Sequence, residues 1–522
     1  MVEHVCPKHR RSRMWQRPTG WLGLLVLVGL SLGPGGPLQA QPTSDATEEQ
    51  LEATLQAYVD QGHARGVAVW RRDAEGREVR ASVGLEQPVA QARWDAGSIT
   101  KVFTAVLLAD LELQGKVQLD APIAAWLPEG CEPAADVATI TFEELATHRS
   151  GLPRLAPSGP GMRRPLLRRS DPYAGATPEE IFEALCTLPR GQLATRGEVA
   201  YSNFAVALLG QVLARASGSG LSYQELITAR VLQPLGLTQS SFAPEGPHQE
   251  PGYRANLTRA GAWQMDAYDP AGGLRLTLGD LARFATAGLQ ADFPPLARTL
   301  EPRHSKDGEP LVALGWFLRE IARPDGQGNE RIWWHNGGTG GYYSFVAFAP
   351  ESGRAIAFLS NSHQTNDFPL RLLENPAAPP EKPESALFFV IIGLVLPWLA
   401  PEAFWRLRRR LTRPPSPAGA REAPRPRGLK ALFPTRPAGR LDALTTALEA
   451  TFYLTLTYQL GAWQVLTLGP WLLALALTLA LGVWTVPALA KAPWFGRPGL
   501  RGRVMTLVGL GVGVVLVVWV VG

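Results

Sequence analysis

Apolar residues are distributed along the chain in three different ways, and each way predicts a different kind of structure. The first is a short run. Trp21 to Leu32 is apolar, follows a basic stretch (Lys8, His9, Arg10, Arg11, Arg13, Arg17), and is broken by Pro34-Gly35-Gly36-Pro37. Leu38-Gln39-Ala40 then offers a small residue for cleavage, so residues 1–40 read as an export signal peptide that is too short for a spanning helix. The second is mixed periodicity over residues 41–380. Glu48 to Gln61 is amphipathic with helical spacing, and Gly66 to Trp70 and Glu78 to Val83 are strand-like runs around an Asp73-Ala74-Glu75-Gly76 turn. Helical patterns with Gly/Pro-rich loops run from Thr141 to Leu237. Strand patterns return at Leu314 to Leu318, Arg331 to His335, Tyr343 to Phe348 and Ala355 to Ser360. Strands at both ends with helices between them predict an α+β fold: one antiparallel sheet with flanking helices and an inserted helical subdomain.

The third way is long and uncharged. Ser385 to Pro401 carries no charge, nor does Ala450 to Ala490, which Gly469-Pro470 divides in two, and Val504 to Gly522 adds a fourth run. Residues 381–522 therefore read as a membrane region of about four transmembrane helices with the lipid bilayer as partner. Arg406 to Arg440 contains many arginines and one acid, Glu422, and reads as a basic loop. Lys491, Arg497, Arg501 and Arg503 mark a second one. With both loops cytoplasmic, the domain of residues 41–380 falls on the outer side, which agrees with the export signal.

Composition narrows the function. The net charge of +5 gives no argument for a nucleic-acid partner, because much of the basic charge lies beside the apolar runs. Of the three cysteines, Cys6 lies in the leader. Cys131 and Cys186 can form one disulfide or stay as buried thiols, and neither has metal-ligand spacing. No H-E-x-x-H or comparable cluster is present, and no cofactor is expected.

Chemistry is carried by three short motifs. In Gly97-Ser98-Ile99-Thr100-Lys101 a serine precedes a lysine by three residues, at the start of an apolar helical run through Ala109. Residues i and i+3 share a helix face, and a lysine in such a run is costly as a cation, so it is a candidate base for the hydroxyl. The chain has seven lysines, and no other has a serine three residues before it. Tyr201-Ser202-Asn203 opens a second apolar helix; it offers a phenol for proton transfer, or an ordinary helix cap at Ser202 or Asn203. Trp334-His335-Asn336-Gly337-Gly338-Thr339-Gly340-Gly341-Tyr342 ends a strand and enters a Gly-rich turn, where backbone can approach a ligand closely.

In this order the motifs resemble the serine β-lactamase and penicillin-binding-protein superfamily, in its class C-like branch, over roughly residues 51–361. Leu145-Ala146-Thr147-His148-Arg149-Ser150-Gly151-Leu152-Pro153, Pro234 to Leu237 and Ala271 to Leu274 reinforce it. The resemblance implies that Ser98 is an acyl-accepting nucleophile, Lys101 its activating partner and Tyr201 a general base and acid. It also implies that Asn203 holds substrate or the lysine, and that His335, Asn336 and Gly337 stand where the family has a K-T-G motif. The backbone N–H groups of Ser98 and Gly338 would form the oxyanion hole. The expected function is a membrane-anchored serine hydrolase in the periplasm or at the cell exterior of a bacterium. It would act on small-molecule or peptide substrates, peptidoglycan-derived ones included, and most readily on D-amino-acid peptides or esters. A histidine in place of the family's lysine is only partly charged near neutral pH, which weighs against a true β-lactamase. That alternative stays open, as does a non-catalytic sensor of cell-wall fragments or β-lactams.

Overall fold

The computed structural model describes residues 48–157, 171–243, 246, 248–255, 257–306, 309–364, 366–381, 385–412, 439–460, 469–495, 507 and 509–515. The signal peptide and most of the Arg406–Arg440 loop lie outside them.

One eight-stranded antiparallel sheet organises the chain up to residue 381. Its strands are β1 (Val67–Arg72), β2 (Glu78–Val83), β3 (His304–Lys306), β4 (Glu309–Val312), β5 (Phe317–Ala322), β6 (Asn329–Gly338), β7 (Tyr343–Ala349) and β8 (Arg354–Ser360), and they lie in the order β2-β1-β8-β7-β6-β5-β4-β3. The first strand pairs directly with the last, Val67 opposite Ser360, so the two ends of the domain meet inside the sheet. Every residue of β7 and β8 is buried, because helices cover both faces. The smaller apolar layer packs on α1 (Glu48–Asp60) and on Phe368–Glu374, and the larger one holds the helices inserted between β2 and β3. This is the expected α+β arrangement. β3 and β4 had no apolar pattern to announce them, and Leu314 to Leu318 proves to be a turn at Gly315 leading into β5.

The inserted helices include α2 (Thr100–Leu113) and α3 (Asn203–Ala216). Thr100 through Leu111 of α2 are all buried, as a helix apolar on every side requires. Ser202 caps α3 by accepting the Ala205 N–H at 2.9 Å. Cys131 and Cys186 form a disulfide that closes a separation of 55 residues.

Past residue 384 the described chain forms three long helices, α4 (Ser385–Leu411), α5 (Arg440–Leu460) and α6 (Gly469–Ala490). Among the described residues one segment, Leu472–Ala490, is long and apolar enough to cross a membrane. The expected count of four is not met among the described residues: α4 contains the uncharged Ser385 to Pro401 before it runs on into Arg406 and Arg408–Arg410, and the run that begins at Ala450 leaves the described residues after Leu460. The fourth expected span lies largely outside the described residues.

Candidate active site

Ser98 sits on a single 3-10 turn, Gly97–Ile99, that winds directly into α2. The turn is held from several sides. The Ala96 N–H donates to the Leu274 carbonyl at 2.9 Å, the Thr100 hydroxyl to the Gly97 carbonyl at 2.7 Å, and the Ser344 hydroxyl to the Ala96 carbonyl at 2.7 Å. Gly97 has φ of +51°, and a Cβ there would stand 2.8 Å from the Gly338 nitrogen. A Cβ on Gly337 would come within 1.9 Å of the Ala96 oxygen. These two glycines let β6 lie against the serine turn, which sets the Gly338 amide beside the Ser98 segment.

The serine, the lysine and the tyrosine meet as their spacing and order imply. Lys101 Nζ donates to Ser98 Oγ at 2.9 Å and to the Ala271 carbonyl at 2.6 Å. The Tyr201 hydroxyl donates to Ser98 Oγ at 2.6 Å. Lys101 is 1% exposed, and burial, with the nearby charge of Arg154, holds its amine well below the ordinary lysine range. Burial pushes the Tyr201 phenol up, against the opposing effects of its Ser98 hydrogen bond and of Arg154. The amine is thus favoured as a neutral base and the phenol as a proton donor. Desolvation thus outweighs the groups that would favour a phenolate at Tyr201.

His335 is buried on the same side, its ring 6.5 Å from that of Tyr201. Burial, then the charge of Lys101, lowers its pKa from 6.5 to about 3. The expected partial charge near neutral pH is therefore corrected: this imidazole is neutral there. Its Nδ1 lies 2.6 Å from the Asn336 carbonyl, which can only accept, so Nδ1 carries the hydrogen and Nε2 presents a lone pair. Nε2 has no partner among the described residues.

Two further expectations are revised. The second partner of Lys101 is the Ala271 carbonyl rather than Asn203, whose Nδ2 donates to the Tyr173 hydroxyl at 2.8 Å. Asn203 Oδ1 is buried with no partner among the described residues. Asn336 alternates with His335 along β6 and so lies on the opposite face, where its register partner Phe345 belongs to the smaller apolar layer. That side chain therefore leaves the substrate-binding set.

Sequence reasoning assigned no role to Ala271, a backbone acceptor that leaves no mark in residue type. Arg154 is exposed, yet its guanidinium carbon stands 5.1 Å from the centre of the Tyr201 ring. Its carbonyl accepts the N–H groups of Asn203 and Phe204 at 3.0 and 3.2 Å, which ties the arginine to the first turn of α3.

With this geometry in place, the chain's kinship is clear. Residues 51–377 match the Beta-lactamase family, and the chain belongs to that family of β-lactamase- and D-Ala-carboxypeptidase-like serine hydrolases. It is 29% identical over 274 residues to the D-alanyl-D-alanine-carboxypeptidase/endopeptidase AmpH of Escherichia coli K12, covering 49% of this chain and 67% of that one. A β-lactamase of the same strain is 27% identical over 330 residues, covering 55% of this chain and 80% of the other. The class C β-lactamase of Rhodobacter sphaeroides shares the fold with a TM-score of 0.51 at 20% identity, over 62% of this chain and 97% of that structure.

Proposed function

We propose that this chain is a membrane-anchored, extracytoplasmic serine hydrolase that cleaves D-amino-acid peptides or esters through an acyl-enzyme. The observation that carries this reading is Ser98 Oγ, held at 2.9 Å by the Lys101 amine and at 2.6 Å by the Tyr201 hydroxyl.

As neutral amine, Lys101 takes the Ser98 hydroxyl proton while Oγ bonds to the substrate carbonyl carbon. The carbonyl π pair moves onto oxygen, which the N–H groups of Ser98 and Gly338 stabilise. Collapse of the adduct breaks the bond to the leaving amine or alkoxide. Tyr201 gives that group its proton and is reprotonated by the Lys101 ammonium. In the second half, water adds to the acyl carbon, its proton passes back through the same two groups, and the ester bond to Ser98 breaks. The buried Asn203 Oδ1 supports a role in accepting an N–H of the substrate.

Substrate class follows from charge. A neutral His335 with a lone pair outward does not attract a carboxylate, whereas Arg154, exposed beside the Tyr201 ring, does. That supports substrates with a free carboxylate, such as D-amino-acid peptides, and the name of the carboxypeptidase/endopeptidase relative points the same way. The Cys131–Cys186 disulfide supports an oxidising compartment, and Leu472–Ala490 supports an anchor.

The test is labelling of the full chain with a fluorescent penicillin and a fluorophosphonate, beside Ser98→Ala. Loss of both signals in the variant is expected; labelling that persists removes Ser98 from the role. Rapid turnover of nitrocefin, rather than slow acylation, would move the assignment to a true β-lactamase.

A further inference from the structure

Tyr201 belongs to a loop that must hold one phenol on one hydroxyl, and the holding is done by a separate segment, residues 148–154. Four kinds of contact join the two. The Ala200 N–H donates to the His148 carbonyl at 2.8 Å, and the Ser202 N–H donates to His148 Nδ1 at 3.3 Å. The Ser202 hydroxyl donates to the Pro153 carbonyl at 2.6 Å, and the Arg154 carbonyl accepts from Asn203 and Phe204. Within the described residues of this segment, His148 is the one that accepts from the neighbours on both sides of Tyr201, with its carbonyl before it and its ring nitrogen after it.

Three features of His148 are otherwise unexplained. It is a non-glycine residue with φ of +58°, a region that such residues mostly avoid but that His and Asn enter more readily than most. It is 4% exposed although polar. Its ring lies against the Tyr201 ring, 4.5 Å between centres, with Phe317 stacked beside both. A backbone N–H can only donate, so Nδ1 must present its lone pair to Ser202. The imidazole is kept neutral for that by burial and by the charge of Lys101.

We propose that His148 is the positioning residue of the site: it fixes the Tyr201 phenol on Ser98 by accepting the backbone N–H groups on either side of that tyrosine and by packing its ring, tilted, against the tyrosine ring. It touches neither substrate nor the reacting atoms. The inference rests on the reading of Tyr201 as the proton-transfer partner of Ser98.

The backbone at position 148 supplies its own control, since both glycine and asparagine tolerate φ near +58°. Asparagine also offers an oxygen acceptor close to where Nδ1 stands; glycine does not. In the full-length chain, His148→Gly is expected to keep KM within about three-fold and to lose roughly 100-fold in kcat on a short-chain ester, the scale of a 1 Å misplacement. His148→Asn is expected to recover at least about ten-fold of that loss. A glycine variant less than about ten-fold slower than wild type, or an asparagine variant no better than the glycine one, overturns the proposal.

Crystal structures of the two variants read the same point without catalysis. The Tyr201 oxygen should leave hydrogen-bond reach of Ser98 Oγ in the glycine variant and stay within it in the asparagine variant. A phenol that stays in both overturns the inference. If the glycine substitution prevents folding, the asparagine variant decides alone, by whether its Oδ1 accepts the Ser202 N–H and its kcat stays within about ten-fold of wild type. Ser98→Ala, assayed alongside, separates the two claims: hydrolysis that survives it ends the functional reading, whereas the position of the phenol judges His148.

Discussion

Two basic side chains lie near the ring of Tyr201, and they have opposite fates. Lys101 Nζ lies 4.9 Å from its centre on the inner side and is almost wholly buried; the guanidinium of Arg154 lies 5.1 Å from it and is exposed. In the interior, desolvation disfavours a charge, so the lysine is set to exchange a proton. At the rim, water stabilises the charge, and a guanidinium does not deprotonate in any case. On the proposed mechanism, two basic side chains near one ring therefore serve two ends: a reagent within, a handle for substrate without.

The sharpest way to break that comparison is to exchange the properties. Lys101→Met should lower kcat/KM about 10⁴-fold, and Lys101→Arg should do no better, because a guanidinium cannot act as the base. Recovery in the arginine variant would mean that position 101 needs only charge. Tyr201→Phe comes next, with an expected loss of about 10²- to 10⁴-fold in kcat, since it removes the proton relay but leaves the ring near the two basic side chains. Arg154→Ala should cost roughly 10- to 100-fold in kcat/KM for a peptide ending in a free carboxylate, and clearly less for the same peptide as its amide. That preference should also shrink with added salt, as a solvent-exposed charge requires. Equal losses on both peptides would make Arg154 a part of the inner machinery.

The smallest effect concerns His335, the other interior base. Its folded pKa of about 3 lies below the unfolded value of 6.5, so between those values the unfolded chain binds more protons and stability falls as pH falls. Urea titrations at pH 6 and pH 5 should show wild type losing about 1 kcal/mol more than His335→Gln over that unit. Equal slopes would place a charge on the imidazole in the folded state. For the same reason, the pH profile of kcat/KM should carry no titration near 6.5 from this residue.

The site was legible where chemistry is local. Ser98 and Lys101 are three residues apart, Tyr201 stands at the head of an apolar helix, and order along the chain joined them to the His335 turn. The central strands were legible for a similar reason, since Val67 to Trp70 and Phe345 to Phe348 are continuous apolar runs. What escaped depends on atoms brought from a distance. The charge state of His335 is set by the burial around it, the Lys101 anchor is a carbonyl at Ala271, and the pairing of Cys131 with Cys186 spans 55 residues. Asn336 is an intermediate case, because β-strand alternation already puts it on the face opposite His335, while motif resemblance grouped the two together. β3 and β4 were missed because Lys306, Glu309 and Pro310 interrupt any apolar pattern in strands of three and four residues.

The pairing of the first strand with the last has a consequence for timing. β1 is laid down early in the chain but finds its neighbour β8 only at Arg354–Ser360, and the Gly338 amide reaches the Ser98 turn from the same late region. Such long sequence separations make assembly slow relative to local helix formation. A chain still being synthesised or threaded across a membrane therefore carries its serine and lysine close together, but without the oxyanion donor opposite them. Catalytic competence arrives with the last strands of the domain, so the chain is latent until the whole domain has folded.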